Sequence, residues 1–469
     1  MAGNAAAPKE LGTERIGSLL LKYAVPGIIA MTASSLYNMV DSIFIGHIKD
    51  VGADAISAIG VSAPLMNLST AFGTLVGVGA STIISVLLGQ KNYENANKVL
   101  ANILSLNTII GLAFMAVSLT FLEPILRLFG ASDATLPFAK QYMTIILIGN
   151  VITHLYFGLN NAIRSSGNPM TAMGLTLFTV ISNAILDPIF IYILGMGLQG
   201  AAVATVLCQM MALCYSMRFF MDRKKFMHFP AGLFQLDWKI ARQSLSIGMG
   251  PFLMNLAGCV VAIFINNQLR TYGGDLAIGA FSIVNRISFL FIMVIMGLNQ
   301  GMQPIAGYNF GACQYRRVMK TFWLTAGCAT VVTTLGFIVS EALPHYAVSL
   351  FVNSSDPNSM KLHDIAVHGL KVMNVAFPLV GSQIVITNLF QCLGMVRKSV
   401  FLSLSRQLLF LVPMVYALPK FFQEDGVWVS FPISDTITII TSFILLSILF
   451  SKLRKLNDGD DPSILGSNI

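Results

Sequence analysis

The chain has 469 residues, of which 55% are hydrophobic and 11% charged, and its mean hydropathy is +0.73. That charged share is about half that of an average soluble domain, and one water-soluble core stops growing near roughly 250 to 300 residues, so a soluble globule is excluded. The formal charge of +8 does not make a nucleic-acid binder, because the basic residues alternate between loops instead of forming one patch.

At about 20 apolar residues per membrane span, twelve helices are predicted. Six lie near 16–47, 55–88, 99–122, 138–163, 170–194 and 199–220. The other six lie near 243–270, 277–308, 321–343, 367–393, 398–419 and 427–451. The stretch from Ile16 to about His47 is too long for a signal h-region and reads as a true first span. The division is an N-terminal six-helix lobe over 1–220, a basic linker over 221–242, a C-terminal lobe over 243–453 and a polar tail over 454–469, expected to be disordered. Twenty of the 29 Lys and Arg residues, among them Lys9, Arg15, Lys224 and Lys455, sit in the tails and alternate loops on one side. Seven, among them Lys49 and Lys420, sit on the other, and the positive-inside rule then places both termini in the cytoplasm. The six cysteines include no C-x-x-C pair and read as packing residues.

The halves repeat. Pro26 matches Pro251 at an offset of 225, and Gly79, Gly89 and Tyr93 match Gly301, Gly311 and Tyr315 at 222. Gly167 matches Gly394 at 227 and Gly200 matches Gly426 at 226. Six spans per copy, an even number, give both copies the same orientation, a parallel repeat with a cavity between two bundles and alternating access by rocking. The fold class is therefore an all-α membrane protein, with twelve transmembrane helices in two six-helix lobes related by a parallel internal repeat.

Ionisable groups inside such spans are costly and mark function. Asp41 near the outer end of span 1 and Asp187 near the outer end of span 5 each lie roughly 10 Å below the outer surface at 1.5 Å per residue, and Thr205 on span 6 reaches a similar depth. Asn183 is one helical turn before Asp187, on the same face. A plain hydrogen-bond network pinning three helices is the structural alternative. Two acids with no Lys or Arg at their depth argue for more: such a pair holds a proton, or binds a small cation with oxygen ligands. Pro188 adds a backbone oxygen by removing the bond to the Ala184 carbonyl. Tyr37, one turn before Asp41, and Asn160 on span 4 are the candidate substrate contacts. The second half has the neighbourhood of Asn266 where Asp41 would fall and Met414, beside Pro413, where Asp187 would fall. Arg286, Arg406 and Asp435 remain within its spans. Arg406 reads as snorkelling to the inner face, and Arg286 as inward-facing and hydrogen-bonded.

At these residues the chain resembles bacterial members of the MATE family (multidrug and toxic compound extrusion). The resemblance runs from Ile16 to Leu453 and rests on VPGIIAMTASSLYNMVDSIFIGH, LNNAIRSSGNP, ISNAILDPIFIYILGMGLQGAAVATVLCQ, MGLNQGMQPIAGYNFGA and LSRQLLFLVPMVYALP. It implies a V-shaped pair of lobes in a bacterial inner membrane, exporting cationic drugs or dyes by antiport. It places the cation-coupling site at Asp41, Asn183, Asp187 and Thr205, which would be the metal ligands if sodium is the coupling ion, and first-lobe substrate contacts at Tyr37 and Asn160. Acids that some members carry in spans 7 and 10 are missing, so no second-lobe cation site is expected. The expected partners are small organic cations and the lipid bilayer, not nucleic acid, with the chain a monomer and no cofactor beyond Na+ or H+ as coupling ion. A flippase for lipid-linked sugars is the rival, but it calls for cationic side chains in the first-half cavity. No H-E-x-x-H or G-x-S-x-G motif suggests an enzyme.

Overall fold

A polypeptide in hydrocarbon must satisfy its own backbone N–H and C=O groups, which confines long apolar runs to helices. The computed structural model describes residues 10–46, 48, 52–133, 135–230, 232, 234, 236–352, 357–456 and 458–460. Lys9, Lys49 and the tail residues 461–469 lie outside the described residues. Among the described residues, ten helices are long and apolar enough to cross a membrane, and counting each of two bent pairs as one span brings the number to twelve.

The first lobe comprises α1 (Ile16–Gly46), α2 (Gly52–Gly89), α3 (Tyr93–Thr120), α4 (Leu136–Ile148 and Asn150–Ser165), α5 (Pro169–Pro188, continued by a π segment Ile189–Ile193) and α6 (Leu198–Met221). The second comprises α7 (Trp238–Gly274), α8 (Leu276–Gly311), α9 (Tyr315–Ala342), α10 (Pro357–Met373 and Phe377–Cys392), α11 and α12 (Pro419–Leu453). In α11, Val396–Leu404 passes through a π segment, Ser405–Leu411, into Val412–Ala417. The bends fall in the matching spans of the two lobes, 50° in α4 and 57° in α10. Each fifth span also has a π segment beside a proline, Pro188 or Pro413, where the missing N–H disturbs the helical ladder. These breaks do not follow from span counting, and α3, α9 and α10 begin several residues before their predicted starts.

The backbone itself records the repeat. Lys91 (φ 60°) and Cys313 (φ 56°) take the left-handed conformation in equivalent turns, as do Gly197 (φ 57°) and Gln423 (φ 52°). Non-glycine residues seldom adopt it, so its recurrence at the offsets of the sequence repeat reflects the same chain path twice. The lobes also meet with two-fold reciprocity. A Cβ on Gly89 would lie 2.0 Å from the Tyr308 carbonyl oxygen, and one on Gly311 would lie 2.0 Å from that of Val86, the counterpart of Tyr308. Gly79 faces the Ser244 carbonyl at 1.9 Å, Gly248 that of Leu75 at 1.8 Å and Gly27 that of Gly297 at 2.7 Å, measured in the same way. Small residues let membrane helices approach backbone to backbone, where dispersion is strongest. The Gln303 side-chain amide donates across this seam to Ser81 Oγ at 2.8 Å and Thr82 Oγ1 at 2.9 Å. Towards the chain ends, Arg317 donates to the carbonyls of Leu11 (3.0 Å) and Glu14 (2.7 Å) beside the short helix Glu10–Thr13. The lobes are thus joined from mid-depth to the side that carries both termini.

Three expectations are corrected. Arg406 does not snorkel: its Nε donates to Asp435 Oδ1 at 2.8 Å, with side-chain exposures of 23% and 11%. Burying the charge at that point on α11 is offset by the acid that α12 supplies. Arg286 is exposed and makes no hydrogen bond to another described residue, so it is neither inward-facing nor bonded among them. The start of the tail is ordered, because Asp458 accepts from the Arg316 N–H at 3.4 Å and the Asp460 carbonyl accepts from Tyr315 Oη at 2.6 Å.

Candidate functional site

The spacing of Asn183 and Asp187 on α5 puts them on one face, and the structure closes the bond this allows: Asn183 Nδ2 donates to Asp187 Oδ1 at 2.5 Å. Both side chains are buried, at 3% and 0% exposure. From α6, Thr205 Oγ1 lies 3.2 Å from Asn183 Oδ1 and 3.0 Å from the Ala201 carbonyl. From α1, Tyr37 Oη lies 3.5 Å from Thr205 Oγ1. The Asp41 carboxyl faces that of Asp187 within side-chain hydrogen-bonding reach. Three helices thus bring all four residues expected at the cation site, and Tyr37, into one cluster.

Asp41 Oδ1 and Asp187 Oδ2 are buried without a donor from any described residue, and no described Lys or Arg pairs with either acid. Two carboxyl groups that face each other away from water need a proton or a cation between them. The oxygens of Asp41, Asp187, Asn183 and Thr205 form the donor set that hard cations prefer. Tyr142 on α4, buried and close enough to sense both acids, belongs to the same neighbourhood. It was missed because an apolar span offers many aromatic residues and nothing in its spacing singles this one out.

Asn160 is not part of the cluster. At 5% exposure it donates from Nδ2 to Tyr156 Oη (3.2 Å) and Thr176 Oγ1 (3.0 Å). Thr176 is two turns before Asn183, which sets Asn160 roughly 10 Å deeper along α5. Its Oδ1 is buried and meets no donor among the described residues. A second buried polar group, also missed, gathers where α4 bends. There Ser69 Oγ donates to Asn150, and His154 Nε2 lies 2.9 Å from the Ser69 carbonyl.

Comparison with known proteins bears on the fold and the family. The chain is 28% identical over 444 residues to the multidrug export protein MepA of Staphylococcus haemolyticus, covering 93% of this chain and 94% of that one. The structure of the MATE multidrug transporter DinF-BH superposes with a TM-score of 0.86 at 33% identity, over 95% of this chain and 98% of that one. An outward-facing MATE family transporter superposes at 0.88 with 23% identity, over 97% and 100%, a likeness of fold. The sequence profile of MatE matches twice, over residues 26–189 and 247–417. One match falls in each lobe, and the chain belongs to the MatE family of multidrug and toxic compound extrusion transporters.

Proposed function

We propose that the protein is an antiporter that exports amphipathic organic cations in exchange for an inward-moving cation bound at Asp41, Asn183, Asp187 and Thr205. The observation that carries this reading is the pair of facing buried acids without a basic partner among the described residues, linked through Thr205 to Tyr37. A cation entering the pair withdraws negative charge from a cavity that otherwise attracts a cationic drug, and Tyr37 lies where the two sites meet. Tyr37 and, deeper, Asn160 with its open acceptor contact the drug. The relatives' description as multidrug export proteins supports the cargo class. The acidic first-lobe cluster is of the wrong sign for the phosphate of a lipid-linked sugar.

Coupling in turn requires that the two ions compete. Sodium is the preferred coupling ion, with protons competing for the same carboxylates, because four side-chain oxygens around a net charge of about −2 suit a small hard cation. The chain acts as a monomer, since one copy holds both lobes. It lies in a bacterial inner membrane with both termini in the cytoplasm, as the loop charges indicate. The lobes are 1–220 and 243–453, with 221–242 as linker. Reconstituted vesicles test the coupling: an inward sodium gradient at equal pH, with the potential clamped, should drive export of a cationic dye. Export only under a pH gradient would make Asp41 and Asp187 a proton site; export under neither would overturn the antiport reading.

A further inference from the structure

The linker after α6 does not hang free. Phe229 N–H donates to the Phe220 carbonyl at 2.9 Å, and His228 N–H to Asn97 Oδ1 on α3 at 3.1 Å. Phe226 packs edge-on against Tyr93 with ring centroids 6.3 Å apart. Beside this fold-back, at the end of α6, lies an open cleft of about 440 Å³ lined by Tyr215, Arg218, Phe219, Met221, Asp222 and Lys225.

Its chemistry is basic at the top and apolar below. Lys225 Nζ sits 3.3 Å from the centroid of the Phe219 ring and 3.3 Å from the Phe219 carbonyl oxygen, held by a cation–π contact and the last turn of α6. Burial lowers the proton affinity of this ammonium, so a nearby anion would be welcome there. Arg218, Arg223 and Lys224 are exposed and form no ion pair with a described acid. The one acid, Asp222, is occupied locally, accepting from the Lys224 N–H at 3.1 Å. Tyr215 and Met221 are 53% and 64% exposed on the last turns of an apolar span, which is the rim of the bilayer on the side of both chain ends. Phe234 and Trp238, exposed at 66% and 70%, place interfacial aromatic residues along the same linker. The counterpart in the second lobe is different, because the acids Asp458 and Asp460 follow α12 there.

We propose that this cleft is a binding site for the headgroup of an anionic phospholipid, one per chain, with its phosphate between Arg218 and Lys225 and its acyl chains along the exposed face of α6. The occupant has to be negatively charged at one end and apolar at the other, since the cleft opens at once to the basic linker and to the lipid-facing side of a span. A basic pocket beside membrane helices is the setting in which such headgroups are held.

Native mass spectrometry of the full chain released from nanodiscs of mixed phosphatidylglycerol and phosphatidylcholine tests this. The wild type should retain one phosphatidylglycerol. Arg218→Ala with Lys225→Ala should bind it about 30-fold more weakly, the factor expected for two surface charges. Arg218→Gln with Lys225→Gln, checked for a monodisperse elution profile, guards against a folding defect and should show the same loss. Lys455→Ala, the loss of one positive charge elsewhere on the same side, should retain the lipid. Unchanged retention in both double variants, equal retention of phosphatidylcholine, or an equal loss in Lys455→Ala would overturn the assignment. So would stabilisation of the detergent-solubilised protein by inorganic phosphate matching that by phosphatidylglycerol, which would make the cleft a free-phosphate site.

Discussion

The two lobes share a backbone path down to the residues that take left-handed turns, yet they use their buried charge in opposite ways. In the first, Asp41 and Asp187 face each other with no basic partner among the described residues; in the second, Arg406 closes on Asp435 at 2.8 Å. A charge that is already paired has little left to offer a mobile ion, whereas an unpaired acid pair is incomplete until one arrives. The duplicated architecture thus separates a lobe whose buried acids meet no described basic partner from one that holds its own charges paired.

The strongest way to break this comparison is to exchange the acids one lobe at a time. Asp41→Asn or Asp187→Asn should lower gradient-driven dye efflux at least about tenfold while leaving an inserted, monodisperse protein. Asp435→Asn should leave gradient dependence in place. The reverse pattern in the vesicle assay would transfer coupling to the second lobe.

Next in size is the reciprocity of the seam. Gly89→Ala and Gly311→Ala each drive a Cβ into a carbonyl at 2.0 Å, and each should cost about 1 to 3 kcal/mol in thermal unfolding. The two losses should match, because the contacts are related by the repeat. Gly174→Ala and Gly327→Ala, where an added Cβ meets nothing within 4 Å, should change stability by less than about 1 kcal/mol.

If the Arg406–Asp435 pair is structural, Arg406→Ala should destabilise by about 3 kcal/mol, by leaving a mostly buried acid unpaired. Replacing both residues by Leu should restore most of that loss, and dye efflux by the double variant should keep its dependence on the gradient. Loss of that dependence would give the second lobe a coupling role. The smallest effect expected is that of Tyr37→Phe, which removes one hydroxyl contact of 3.5 Å to Thr205. It should raise the half-saturating dye concentration by about two- to fivefold, the range of one hydrogen bond of about 0.5 to 1 kcal/mol.

What could be read from the sequence was depth. A rise of 1.5 Å per residue converts position along a span into a level in the membrane, so Asp41, Asn183, Asp187 and Thr205 could be grouped before any contact was known, and the four-residue spacing on α5 gave a shared face. Depth carries no azimuth between different helices. For that reason Arg406 and Asp435 were not recognised as partners, and the bonds of Asn160 to Tyr156 and Thr176 were not foreseen. The bends of α4 and α10 were equally hidden, because Gly149, at the first, is one of 39 glycines and Pro378, just after the second, is one of 17 prolines, so neither stands out by composition.

The seam of glycines has a further consequence for how the protein meets changing surroundings. Its closest contacts set Cα atoms against carbonyl oxygens, interactions of short range on which dissolved ions have almost no purchase. Closure on the side of the termini should therefore hold equally well in dilute and concentrated salt. Under the proposed antiport, ionic strength should therefore act on transport through the acids of the first lobe and leave the seam unaffected.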